Sequence, residues 1–155
     1  VWVWNNNLSW FKLHALDASG MAVGDLDGNG RKDVLLDLPG AGIWIWRNNS
    51  SWSQLHSSSA TAMTTGDLDG NGQDEAVPGF AGNGVWAWWN GAAWSQLNTK
   101  NAEALTAANL DGNGRSDLVV DFGATGLWGW WNNANWTQLH SQSPEGSAVG
   151  KFKKR

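Results

Sequence analysis

The sequence predicts an all-β fold built from a unit of four short strands that recurs every 42 residues, and three observations predict it. Tryptophan recurs at that interval in three registers: Trp2, Trp44, Trp86 and Trp128; Trp4, Trp46, Trp88 and Trp130; Trp10, Trp52, Trp94 and Trp136. An acidic segment keeps the same step, as GDLDGNGRKD from Gly24, GDLDGNGQDE from Gly66 and ANLDGNGRSD from Ala108. Between these marks, β-branched or aromatic runs alternate with Gly, Asn and Ser clusters, and no stretch has helical periodicity. Composition agrees: the 155 residues include 14 Trp and 20 Gly but no Tyr and no Cys, the bias of a duplicated unit.

The first complete repeat places strands at about 21–26, 33–38, 43–47 and 52–56. The acidic loop, Pro39-Gly40-Ala41-Gly42 and Asn48-Asn49-Ser50-Ser51 separate them. Four strands in a period of ~40–45 residues is the signature of a β-propeller blade, a four-stranded sheet that packs face to face on the next. The chain then reads as one partial propeller domain of about 3.75 blades, with a half blade at 1–20, repeats at 21–62, 63–104 and 105–146, and the first strand of a truncated copy at 147–155. A strand near 146–152 would join the two N-terminal strands in a four-bladed ring that lacks one strand. Alternatively, two chains placed head to tail would form a larger ring, or the chain is a fragment of a longer one. Unpaired edges and apolar blade faces are a liability in a monomer, so we expect completion by oligomerisation, as a homodimer or with a neighbouring propeller subunit.

Several classes of function are disfavoured. No apolar run approaches the ~18 residues needed to cross a bilayer, so membrane insertion is not expected. The N-terminus has neither an initiator Met nor a signal pattern, as in a mature or excised product. A formal charge of −4 argues against a nucleic-acid surface, and four of the ten basic residues, Lys151, Lys153, Lys154 and Arg155, sit in a terminal run that reads as a solvated tail. Without Cys there is neither a disulfide nor a thiolate metal site. Catalysis is not expected either. His14, His56 and His140 share one repeat position, Asn98 fills the remaining copy, and no nucleophile–base set or carboxylate pair breaks the repeat symmetry. Sequons at Asn7, Asn48, Asn49 and Asn135 fit a secreted protein but are expected by chance in a chain so rich in Asn and Ser.

The acidic loops carry the metal chemistry. Asp25, Asp27, Asn29 and Asp33 place side-chain oxygens at loop positions 1, 3, 5 and 9, with Gly30 at 6 and the Arg31 carbonyl at 7. Ca²⁺ takes ~6–8 oxygens in flexible geometry, and alternate residues of a tightly curled loop direct their oxygens to one centre. Position 12 is Leu36, within a strand, so the loop is not an EF-hand. The second copy supplies Asp67, Asp69, Asn71, the Gln73 carbonyl and Glu75, with Asp74 an alternative last ligand; the third supplies Asn109, Asp111, Asn113, the Arg115 carbonyl and Asp117. The first loop is ranked tightest and the third weakest, because Glu75 is a longer last ligand in the second and Asn109 removes one charge from position 1 of the third. In a fourth copy, positions 1, 3 and 5 fall on Lys151, Lys153 and Arg155, which bind no metal. The plain alternative is a polar hairpin turn, but a turn needs no carboxylate at position 9. Nine of the 14 Asp and Glu lie in these loops, so the fold is expected to depend on calcium for stability.

With DLDGNGRKD between two strands, repeated, and a Gly-flanked strand after it, as at Asp121-Phe122-Gly123, the sequence resembles the FG-GAP/VCBS repeat family of integrin-α-like propellers over its whole length. The resemblance implies calcium at Asp25, Asp27, Asn29, Arg31 and Asp33 and at their counterparts in the next two copies. Asn109 and Glu75 depart from the commonest pattern. It also implies an extracellular or cell-surface setting and a role in adhesion or carbohydrate recognition.

Trp-x-Trp on a strand puts both rings on one face, where they fill the space between blades. Trp52, Trp94 and Trp136 instead begin a strand beside an Asn-rich turn, while Trp89 and Trp131 point to the opposite face from Trp88 and Trp130. These five rings could stack on a sugar while Asn48, Asn90 or Asn132 met its hydroxyls. Propeller lectins are similar in using repeated, shallow inter-blade sites, which makes them multivalent. The expected function is therefore a calcium-stabilised, lectin-like binding protein for glycans; the alternative is a structural or adhesive module whose Trp residues are only core.

Overall fold

In the computed structural model, which describes residues 1–145, every regular element but one 3-10 turn at Gly123–Thr125 is a strand. A hairpin, β1 (Trp2–Asn5) and β2 (Ser9–Lys12), precedes three four-stranded antiparallel meanders. Blade 1 holds β3 (Gly20–Gly24), β4 (Asp33–Leu38), β5 (Gly42–Arg47) and β6 (Ser51–His56). Blade 2 holds β7 (Ala62–Gly66), β8 (Glu75–Phe80), β9 (Gly84–Trp89) and β10 (Ala93–Asn98). Blade 3 holds β11 (Ala104–Ala108), β12 (Asp117–Asp121), β13 (Leu127–Trp131) and β14 (Asn135–His140). The strand expected near 146–152 and the basic positions Lys151, Lys153 and Arg155 lie outside the described residues.

The blades stack with β3, β7 and β11 side by side. One apolar cluster between blades 1 and 2 joins Leu26, Leu35, Ile43 and Ile45 to Ala76 and Phe80, with Trp86, Trp88 and Trp94 against it. A second, between blades 2 and 3, joins Val77, Val85 and Ala87 to Leu118, Val120 and Trp130, with Trp89 and Trp136 against it. β8 of blade 2 is buried at every position because that blade lies between blades 1 and 3, and a sheet covered on both faces has no solvent-facing side. The corresponding Trp2, Trp4 and Trp10 of the β1–β2 hairpin are exposed, Trp10 at 63%.

Strand limits fall within two residues of those read from sequence, with one instructive difference. β3 ends at Gly24 rather than at residue 26, because the Leu26 N–H leaves the ladder and donates to Asp33 Oδ2 at 3.2 Å. Each blade also has an irregularity at the same place: register shifts between β5 and β6, β9 and β10, and β13 and β14 leave Leu55, Leu97 and Leu139 without a partner. Gly42, Gly84 and Gly126 sit opposite, at φ +81°, +75° and +84°. A Cβ at any of them would overlap the carbonyl oxygen of His56, Asn98 or His140, so the position requires glycine twice over.

Directional bonds supplement the apolar packing. Between blades 1 and 2, the Asp74 N–H donates to the Asp25 carbonyl at 2.8 Å and the Asp25 N–H to Asp74 Oδ2 at 2.7 Å. Thr65 Oγ1 donates to the Val23 carbonyl, also at 2.8 Å. Between blades 2 and 3, the Ser116 N–H donates to the Asp67 carbonyl at 2.6 Å.

Candidate functional site

All three acidic segments curl at the same end of their blades, between the first and second strands. The curl is held by position 1. Asp25 accepts the N–H groups of Asn29 at 3.0 Å and Gly30 at 2.6 Å, and Asp67 accepts those of Gly70, Asn71 and Gly72 at 2.7, 3.1 and 2.9 Å. Asn109 has a single side-chain oxygen, which accepts from Gly112 at 2.7 Å. Burial works against ionisation of Asp25, but the N–H groups of Gly30, Asn29 and Gly28, helped by Lys32, outweigh it and hold the carboxyl below its ordinary value.

Position 9 closes the loop from beneath. Asp33, Glu75 and Asp117 are fully buried, and each accepts the N–H of the residue after position 1: Leu26, Leu68 at 2.8 Å and Leu110 at 3.0 Å. The other carboxylate oxygen accepts the N–H of Asn48 at 2.8 Å, Asn90 at 3.4 Å or Asn132 at 3.0 Å, from the turn between the third and fourth strands. Positions 3 and 5 lie at the mouth. Asp27, Asp69 and Asp111 accept the N–H of Asn29, Asn71 and Asn113, whose own side chains accept from Arg31, Gln73 and Arg115 at position 7, at 2.8, 2.7 and 2.7 Å. The Gln73 side chain reaches the preceding blade, donating to the Leu26 carbonyl at 2.7 Å.

Oxygen ligands ~2.3–2.6 Å from one ion lie within about 5 Å of each other. Carboxylate oxygens of Asp67, Asp69 and Glu75 all fall within 4.8 Å of one another, the one such three-carboxylate group among the described residues. The donor set there is all oxygen, so the dimensions and the chemistry suit a hard cation. The charge is costly: burial pushes the Glu75 carboxyl up to about 7, and Asp69 and Asp67 add to the rise against the opposing Leu68 and Asn90 N–H groups.

The tryptophans divide between two environments. Trp94 lines a cavity of about 360 Å³ at the opposite end of the blades, with Phe80 and Trp86 of blade 2 and His56, Ser58 and Ser59 from blade 1 and the loop after it. His56 lies on Phe80 at 4.6 Å and edge-on to Trp94 at 5.8 Å, as His14 lies edge-on to Trp52 at 5.3 Å. In the third copy Trp136 packs on Phe122 at 5.6 Å and lines a shallower hollow with Gln96, Leu97, Asn98 and Thr99. Trp89 and Trp131 do not join these rings. Trp89 faces blade 3, 6.5 Å from Trp130, with its Nε1 bonded to Ser95, and the Trp131 ring lies over Gly129. Nor do the amides of Asn48, Asn90 and Asn132 meet the cleft, because all three are engaged by the acidic loops: Asn48 Nδ2 donates to Asp27 Oδ2 at 2.7 Å, and the equivalents to Asp69 and Asp111 at 3.0 Å each.

Sequence reasoning missed His56, Phe80 and Trp86 as cleft walls, and missed the turn asparagines as part of the acidic loops. A signal for the latter was present: each lies 15 residues beyond position 9, at Asp33, Glu75 and Asp117. Comparison with known proteins finds no family model that matches the chain and no curated protein that matches it at a significant level. The likeness to FG-GAP/VCBS repeats rests on the repeated acidic segment between two strands and the Gly-flanked strand after it.

Proposed function

We propose that this chain is a calcium-stabilised binding propeller of the FG-GAP/VCBS type, working outside the cell as a multivalent receptor for carbohydrate. The cleft between blades 1 and 2 carries the reading. Aromatic walls from Phe80, Trp86 and Trp94 offer apolar faces to a pyranose ring, and Ser58, Ser59, His56 and Asn83 rim them with hydrogen-bonding groups. Related rings at Trp52 and Trp136 give the repeat its multivalency. Calcium, held by positions 1, 3, 5, 7 and 9 of each loop, would supply charge neutralisation and cross-link the turn that precedes each blade's second strand. The chain's own residues do the recognition.

A glycan array probed in calcium tests the reading, followed by titration of a hit into W94A and W89A. Trp94→Ala should abolish binding at that cleft and Trp89→Ala should leave it intact; an array without hits, or equal effects of the two substitutions, sinks it.

The exposed Trp2, Trp4 and Trp10 favour a second reading, an adhesive or assembly module. Their counterparts Trp86, Trp88 and Trp94 are packed on a neighbouring blade, so the hairpin presents a blade-docking face that a second copy or another propeller subunit would cover. Sedimentation at several concentrations separates the two: concentration-dependent size without a sugar effect supports assembly, and a monomer throughout excludes it.

A further inference from the structure

We propose that Asn48, Asn90 and Asn132 are positioning residues for the three metal loops, each orienting the ligands at positions 3, 5 and 9 together; this rests on the calcium reading above. Each asparagine is the first central residue of the hairpin turn joining the third and fourth strands, at φ +52°, +50° and +54°. The second central residue also has positive φ, as a type I′ turn requires, and there the chain accepts Asn49, Gly91 or Asn133. Glycine thus suffices for the backbone at the second position. At the first, a side chain is present in all three blades, and it is turned to the acidic loop every time.

The contacts repeat. The backbone N–H donates to the position-9 carboxylate, at 2.8 Å in blade 1. The side-chain Nδ2 donates to Oδ2 of the position-3 aspartate, at 2.7 Å in the same blade. The side-chain Oδ1 accepts from the amide of the position-5 residue, Asn29, Asn71 or Asn113. One residue therefore touches three of the five ligand positions without belonging to the loop. It ties back Oδ2 of the position-3 aspartate while Oδ1 accepts the backbone N–H of the position-5 residue, so the carboxylate is held in one orientation, and it joins the mouth of the loop to its base. Groups in that relation to metal ligands raise affinity by restricting the ligands to the binding geometry, and their loss typically costs 10- to 100-fold in metal affinity.

Calcium titration calorimetry on the full chain tests this, with N48G/N90G/N132G compared with the control N49G/N133G. Glycine keeps the positive φ and the backbone N–H and removes only the amide. We expect 10- to 100-fold weaker binding in the triple variant and unchanged binding in the control. If the triple variant fails to fold, N90G alone should weaken one of the sites by the same factor. A purely structural role would lower the unfolding temperature equally with calcium and with chelator and leave affinity untouched, which overturns the proposal, as does equal weakening in the control. If the unaltered chain binds no calcium, the calcium reading falls and this inference with it; if it binds and the variants bind alike, only this inference falls.

Discussion

Glu75→Gln probes the most highly charged of the loops. The Glu75 carboxyl stands at about 7 against an ordinary 4.5, which corresponds to about 3 kcal/mol. A carboxyl with a raised pKa in the folded state binds its proton more tightly there than in the unfolded chain. Its contribution to stability is therefore complete below about 4.5 and is lost as pH rises through about 7. Glutamine is neutral throughout and has no such loss. Its oxygen can keep the bond from the Leu68 N–H, while its NH₂ meets the Asn90 N–H, whose bond is already long at 3.4 Å, at a cost of about 1 kcal/mol. In urea titrations with chelator, E75Q should be less stable than the parent by about 1 kcal/mol near pH 4, nearly equal to it near pH 5, and more stable by about 2 kcal/mol near pH 8. Saturating calcium should reverse the ordering near pH 8, since only the parent offers the ion a carboxylate at that position. A difference between the two proteins that does not change with pH would refute the argument, because it would mean that burial and the neighbouring Asp67 and Asp69 do not act on Glu75.

Three further outcomes follow from the packing. Gly84→Ala should destabilise the chain by at least about 2 kcal/mol in denaturant unfolding, since it combines a positive φ with overlap on the Asn98 carbonyl, whereas Gly82→Ala, with φ +74° but open space, should cost about 1 kcal/mol. Leu35→Ala, deep between blades 1 and 2, should cost about 2–5 kcal/mol by the same measurement. Asp74→Ala should cost about 1–3 kcal/mol because it leaves the Asp25 N–H without its acceptor, while Lys32→Ala, whose ammonium pairs with Asp74 at 2.7 Å but is largely exposed, should cost under about 1 kcal/mol.

The parts of the structure that were legible in the sequence are those written in local, periodic signals. The Trp registers, the Gly–Asn punctuation and the spacing of Asp25, Asp27, Asn29 and Asp33 each mark a strand or a loop within a dozen residues, and the strands and loops fall where they indicate. The side of the sheet on which Trp88 and Trp89 pack was likewise readable from the period-2 alternation of a strand. What was hidden depends on pairing across sequence. Leu55 leaves the ladder because Gly42 sits opposite the end of the neighbouring strand, and no feature near Leu55 announces it. Asn48 reads as a turn residue until the hairpin folds it onto Asp27 and Asp33. The cleft at Trp94 is assembled from two blades, so the walls from His56 and Phe80 became visible only once the stacking was known.

The bonds between the acidic ends of blades 1 and 2 have a mechanical consequence. Apolar faces resist separation but hardly resist sliding, because the hydrophobic effect has no preferred direction, whereas a hydrogen bond weakens steeply when bent. The paired Asp25–Asp74 bonds and the Thr65–Val23 bond therefore fix the register of blades 1 and 2 at the acidic rim. The cleft lined by His56 and Trp94 lies at the other end of the same two blades, so the register set at the acidic rim also sets how its walls, drawn from both blades, face each other.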